Sequence, residues 1–144
     1  ILDITAALNI PLVVKLSVAT PPKVAYEITR HPACDGICVS NTIRWGELPE
    51  LIDWGRIFGT DKSPLDHLGG GGLSGKPLLP IVRSWVRQAR QTGLTKHINA
   101  GGGILSLADA QSLLKAGADS IFLGSIALLR PWRIKRIVEK INQK

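Results

Sequence analysis

The 144 residues carry 44% hydrophobic and 20% charged side chains, the balance of a folded globular chain and neither a disordered nor a fibrous one. No apolar run approaches the roughly 18 to 20 uncharged residues of a membrane span, and no basic stretch leads into an apolar signal region, so a cytoplasmic protein without a membrane span is expected. Eighteen Lys plus Arg against 11 Asp plus Glu give a net charge of +7, which alone attracts nucleic acid, anionic lipid or phosphorylated small molecules.

The distribution of that charge matters more than its total. Arg130, Arg133, Lys135, Arg136, Lys140 and Lys144 alternate with Ile134, Ile137, Val138 and Ile141 at helical spacing, the pattern of the wet face of a docked helix. Aromatic residues are scarce among them, so the stacking platforms of single-strand binders are missing and no nucleic-acid partner is expected. Cys34 and Cys38 lie too close in sequence to staple distant segments and read as reduced thiols. The chain opens on Ile1 and contains no Met, and it reads as a piece of a longer protein.

Taken in order, the segments repeat one rhythm: a short apolar, β-branched stretch, a polar or Gly-rich turn, then a helix-like run. A strand over 12–16 precedes a helix over 21–31; its one lysine, Lys15, is flanked by Val14 and Leu16, so a buried strand is expected. A second strand, 36–40, ends at Asn41-Thr42. The long segment 43–75, rich in Gly, Pro, Trp and Asp, separates it from a helix over 76–91. A third strand over 97–100 runs into Gly101-Gly102-Gly103, after which Ser106 caps a helix reaching Lys115 that Gly117 ends. A fourth strand over 120–123 leads through Gly124-Ser125 into the basic amphipathic tail helix. Four βα units are half of a (β/α)8 barrel, which needs about 250 residues; an open doubly wound sheet has the same periodicity.

In either architecture ligands sit at the carboxyl ends of parallel strands. Lys15, Ser40-Asn41-Thr42, Gly101-Gly102-Gly103 and Gly124-Ser125 stand at those ends. Two Gly-rich turns on consecutive units, each opening toward a helix, make a backbone cradle for a phosphate. An ammonium on a buried strand calls for an anionic partner, and Asn41 with Thr42 offers donors and acceptors for a planar heterocycle. His31, His67 and His97 are dispersed and make no metal site. Trp45, Trp54, Trp85 and Trp132 read as packing residues, with Trp45 close enough to the Asn-Thr pair to line a pocket. Pro77 stands where a Walker-type loop needs Ser or Thr for magnesium, so nucleotide hydrolysis is not indicated.

The string Gly71-Gly72-Leu73-Ser74-Gly75-Lys76-Pro77-Leu78, with Val14-Lys15-Leu16, Ser40-Asn41-Thr42, Gly102-Gly103-Ile104 and Gly117-Ala118, resembles the C-terminal half of the dihydroorotate dehydrogenases, flavin-dependent barrel enzymes of pyrimidine synthesis. The flavin half of dihydropyrimidine dehydrogenase is similar. The resemblance covers nearly all of the chain as one region, 1–144, and implies the C-terminal half of a TIM barrel with FMN as cofactor. It implies that Lys15 reaches the flavin ring, that Ser40 and Gly75 touch it, and that Gly102, Gly103, Gly124 and Ser125 hold the FMN phosphate. Asn41 and Thr42 are then the pair that hydrogen-bonds dihydroorotate, orotate or a related dihydropyrimidine. The implied base, a Ser or Cys of the N-terminal half, has no counterpart here; Cys38 lies inside its strand, before the carboxyl end. An inactive fragment is therefore expected, completed by the missing half-barrel or by a second copy of the chain. The rival reading is a non-catalytic module that binds a phosphate ligand. The resemblance also implies a minor departure at Gly101, a place where the family usually has an apolar residue.

Overall fold

The apolar stretch that opens each βα unit pairs with the next to form a parallel sheet. In the computed structural model, which describes residues 2–7 and 9–143, the elements are α1 (Leu2–Ala6), β1 (Val13–Leu16), α2 (Pro22–Thr29), β2 (Gly36–Val39), β3 (Ile43–Arg44), α3 (Trp54–Phe58), β4 (Gly72–Leu73), α4 (Leu78–Gln91), β5 (His97–Ala100), α5 (Leu107–Ala116), β6 (Ser120–Ile121), α6 (Ser125–Leu129) and α7 (Ile134–Asn142). The sheet runs β1-β2-β5-β6 with every pair parallel. The α/β half-barrel rhythm is the one expected.

Register decides which side chains share a face. Val14, Ile37 and Ile98 are aligned, as are Leu16, Val39, Ala100 and Ile121; they face the helices, and Ile37, Val39, Ile98 and Ala100 are fully buried. The core forms between this face and α2, α4 and α5, with Val82, Val86 and Ala89 of α4 and Leu113 of α5 at its centre. Ile137 packs α7 onto the same layer. Ser106 caps α5 by accepting the Asp109 N–H, and Gly117 closes it in the left-handed conformation, as the sequence predicts.

The opposite face is open. It carries Val13, 47% exposed, and the aligned row Lys15, Cys38, Asn99 and Ser120. Lys15 is therefore exposed, not buried as its apolar neighbours indicate, because Val14 and Leu16 point to the helices and Lys15 points away. This face is also more polar than a barrel interior read from strand composition: His97 Nε2 lies 2.8 Å from Ser120 Oγ upon it.

The segment 43–75 holds structure that its composition hides. β3 and β4 form a short antiparallel hairpin, and Trp45, Trp54 and Phe58 cluster beside it with Trp45 centroids 4.9 and 5.0 Å from the other two. The tail is not one helix. It breaks at Arg130, whose φ of −150° and ψ of 54° are not helical, because Pro131 disfavours the helical region for the residue before it; a 3-10 turn, Pro131–Arg133, then leads into α7.

Candidate functional site

At the carboxyl ends of the four parallel strands lies a cavity of about 320 Å³, within the size range of small-molecule sites. Lys15 from β1, Ser40, Asn41 and Thr42 after β2, Ser74 and Leu78 at the entry to α4, Gly102, Gly103 and Ile104 after β5, and Phe122, Gly124, Ser125 and Leu128 after β6 line it. Of the nine residues expected to hold the flavin or the pyrimidine, all but Gly75 are on that wall. Gly75 stands directly behind it: a Cβ on Gly103 would come 2.7 Å from the Gly75 carbonyl oxygen and 2.8 Å from the Leu79 nitrogen.

Glycine is required at this turn twice over. Gly102 and Gly103 have φ of +127° and +72°, and a Cβ on Gly102 would stand 3.0 Å from Ser40 Oγ and from Val82 Cγ2. The close approach depends on Ser40, buried at 4% exposure. Its N–H and its Oγ both donate to the Gly101 carbonyl, at 3.2 and 3.1 Å, and the Gly101 N–H returns to the Val39 carbonyl. The end of β2 is thereby bolted to the glycine turn after β5. Across the cavity nothing lies within 4 Å of a Cβ built on Gly124, so the second turn faces open space.

Asn41 Oδ1 accepts the Thr42 N–H at 3.0 Å. That bond fixes the backbone of the pair, and the Asn41 amide nitrogen and Thr42 hydroxyl make no hydrogen bond among the described residues. A Cβ on Gly72 would stand 2.9 Å from Thr42 Cβ and Oγ1, so the β3–β4 hairpin holds Thr42 against the cavity.

The family model described as dihydroorotate dehydrogenase matches residues 2–144. The chain belongs to the dihydroorotate dehydrogenase family. It is 33% identical over 113 residues to the dihydroorotate dehydrogenase B (NAD(+)) catalytic subunit of Thermotoga maritima, covering 78% of this chain and 36% of that protein. The corresponding Listeria monocytogenes subunit is 28% identical over 138 residues, covering 94% of this chain and 42% of its own length. The ligand-free Eimeria tenella dihydroorotate dehydrogenase crystal structure overlays 90% of this chain on 34% of its own at a TM-score of 0.67 and 25% identity. The parallel sheet is thus a partial barrel, and the chain spans well under half the length of these relatives.

Within that family frame, two features of the site are electrostatic. Burial pushes the Cys38 thiol above its ordinary range, and the Lys15 charge beside it opposes the shift without cancelling it. Burial thus favours the protonated thiol of Cys38 over the thiolate. Asp109, buried at the start of α5, would be raised by burial, but hydrogen bonds from Lys76, the Leu105 N–H and Ser106, with the Lys76 charge, hold its carboxyl below the usual range.

Trp54 and Trp85 are buried as packing residues, whereas Trp132, read as one from the sequence, is 73% exposed. His31 Nδ1 accepts the Ala33 N–H, so its Nε2–H donates to Asp3 at 2.9 Å; no group of three or more His, Cys, Asp or Glu side chains among the described residues is placed to hold a metal. No helix among them is long and apolar enough to cross a membrane. Trp45 lines not the main cavity but a neighbouring polar one with Thr42, Arg44 and Gly69 to Gly72. Sequence reasoning misses Ser74, Leu78, Ile104, Phe122 and Leu128. Ser74, Leu78 and Ile104 lie inside the quoted motifs, and their proximity to the glycines was the available signal.

Proposed function

We propose that this chain is the FMN-binding part of a dihydroorotate dehydrogenase-type enzyme of pyrimidine synthesis. The observation that carries the reading is convergence: Lys15, Asn41-Thr42 and the two glycine turns, separated by up to 110 residues in sequence, line one cavity. The turns fit a phosphate because glycines put no side chain over their backbone N–H groups, and a Cβ at Gly102 or Gly103 would run into the packed wall behind the turn. FMN, when bound, supplies the hydride acceptor.

The residues of this chain divide the remaining work. Gly102, Gly103, Gly124 and Ser125 hold the phosphate, and Ser40 and Gly75 back the ring. Lys15 presents an ammonium where negative charge on the ring is stabilised. Asn41 and Thr42, with free hydrogen-bonding groups, orient the pyrimidine so that its C6 hydrogen leaves as hydride while a base takes the C5 proton. That base belongs to the N-terminal half-barrel, so this chain alone turns over no dihydroorotate and acts in the cytoplasm as part of a complete barrel.

A broader reading, a module for phosphate esters, draws on one further likeness. Fifty-eight residues are 41% identical to a Methanosarcina acetivorans isomerase whose name specifies phosphoribosyl groups. Titration with FMN, followed by quenching of flavin fluorescence, tests both. Saturable binding that Gly103→Asp abolishes supports the phosphate cradle. Gly124→Asp, placed where no neighbour lies within 4 Å, gives the same loss without a packing defect. A folded chain that binds phosphate esters such as ribose 5-phosphate but not FMN would favour the broader module.

A further inference from the structure

Lys76 directly follows Gly75, and beside a phosphate cradle an ammonium in that place would be the obvious counter-charge. It is committed elsewhere. Lys76 Nζ donates to Asp109 Oδ1 at 2.5 Å, and it is not among the cavity-lining residues. Asp109 Oδ2 accepts the Leu105 N–H at 3.0 Å, and the Asp109 N–H is taken by Ser106 Oγ. The Asp109 side chain is 10% exposed and that of Lys76 57%, so the carboxylate is the fixed end of the pair and the lysine reaches to it.

The two segments joined by this pair are the two that form the cradle's back wall. Gly75 precedes Lys76 and presses its carbonyl on Gly103; Leu105 is two residues beyond Gly103. The ion pair therefore closes, from the outside, the same junction that glycine packing closes from the inside.

We propose that Lys76 and Asp109 are positioning residues for the phosphate cradle. Their ion pair holds the segment before α4 against the glycine turn, so that backbone N–H groups, and not a lysine, receive the phosphate. The inference rests on the flavin-phosphate reading above.

The experiment compares FMN with riboflavin, which lacks the phosphate, by fluorescence quenching on the intact chain, with thermal melts as a check on folding. Asp109→Asn keeps an acceptor for the Leu105 N–H while removing the negative charge that pairs with Lys76; Lys76→Gln removes the ammonium. Each substitution is expected to weaken FMN binding by about tenfold and to leave riboflavin binding unchanged. The double variant is expected to lose no more than either single one, because both remove one interaction. Equal loss of FMN and riboflavin would make the pair merely structural and overturn the proposal. So would a loss in Lys76→Gln alone, which would make Lys76 a direct phosphate ligand. Unchanged FMN affinity in both variants would overturn it while leaving the flavin reading intact; failure of the unsubstituted chain to bind either flavin would remove the reading and the proposal together.

Discussion

Phe122 lays its ring in the space that a side chain on Gly101 would occupy: a Cβ there would come within 2.5 Å of three ring carbons. Gly101, where the resemblance implies an apolar residue, thus leaves its space to Phe122, a residue on the cavity wall. Gly101→Ala is expected to expel the ring and lower stability by about 1–3 kcal/mol, as overpacking does. In a Phe122→Ala background the same substitution should cost little, which urea unfolding of the four variants would measure. Additive costs would mean that the two residues do not share that space.

Asp109 makes part of the chain's stability depend on acid. Its carboxyl sits below the usual range in the folded state and near about 3.9 when unfolded. Its contribution is therefore present above the unfolded value and disappears as the pH falls through the folded one. Denaturation midpoints should drop as pH falls from about 5 toward 3, and Asp109→Asn should flatten that drop while lowering stability at neutral pH by about 1–3 kcal/mol. An unaltered acid profile in the variant would contradict the assignment.

At the other end of the strands Arg90 performs a purely structural task. Its Nε donates to the Gly117 carbonyl at 2.9 Å, its Nη1 to the Leu94 and Lys96 carbonyls at 2.8 and 3.0 Å, and its Nη2 pairs with Asp119. Lysine cannot reproduce that fork. Arg90→Lys is expected to destabilise by about 2–3 kcal/mol, read as a lower melting temperature, with flavin affinity of the folded protein unchanged.

The ability to read these features in advance varied with how local their cause was. β5, the glycine turn and the Ser106 cap follow from neighbouring residues, and the structure has them where they were expected. The β3–β4 hairpin pairs Ile43 with Leu73, two-residue strands too short and too far apart to leave a periodic trace. Pro131 carried the signal for the broken tail, but the isoleucine spacing of 134–141 masks it. The exposure of Lys15 depends on the sheet being covered by helices on one face, a fact about tertiary arrangement that strand composition does not hold. Among site residues, those in turns were legible from their chemistry, whereas Phe122 enters the site only because Gly101 leaves room for it.

The sheet ends on β1 and β6, each with one unpaired edge, and parallel edges without a neighbour recruit one. The isolated chain is expected to elute in gel filtration as a dimer or larger species. A monomer with cooperative melting would contradict that.

The most direct test of the central claim is a crystal structure of the chain with FMN. The account predicts the phosphate between the turns at Gly102-Gly103 and Gly124-Ser125, with the ring against Ser40 and Lys15. A phosphate bound elsewhere, or a flavin outside this cavity, would contradict it.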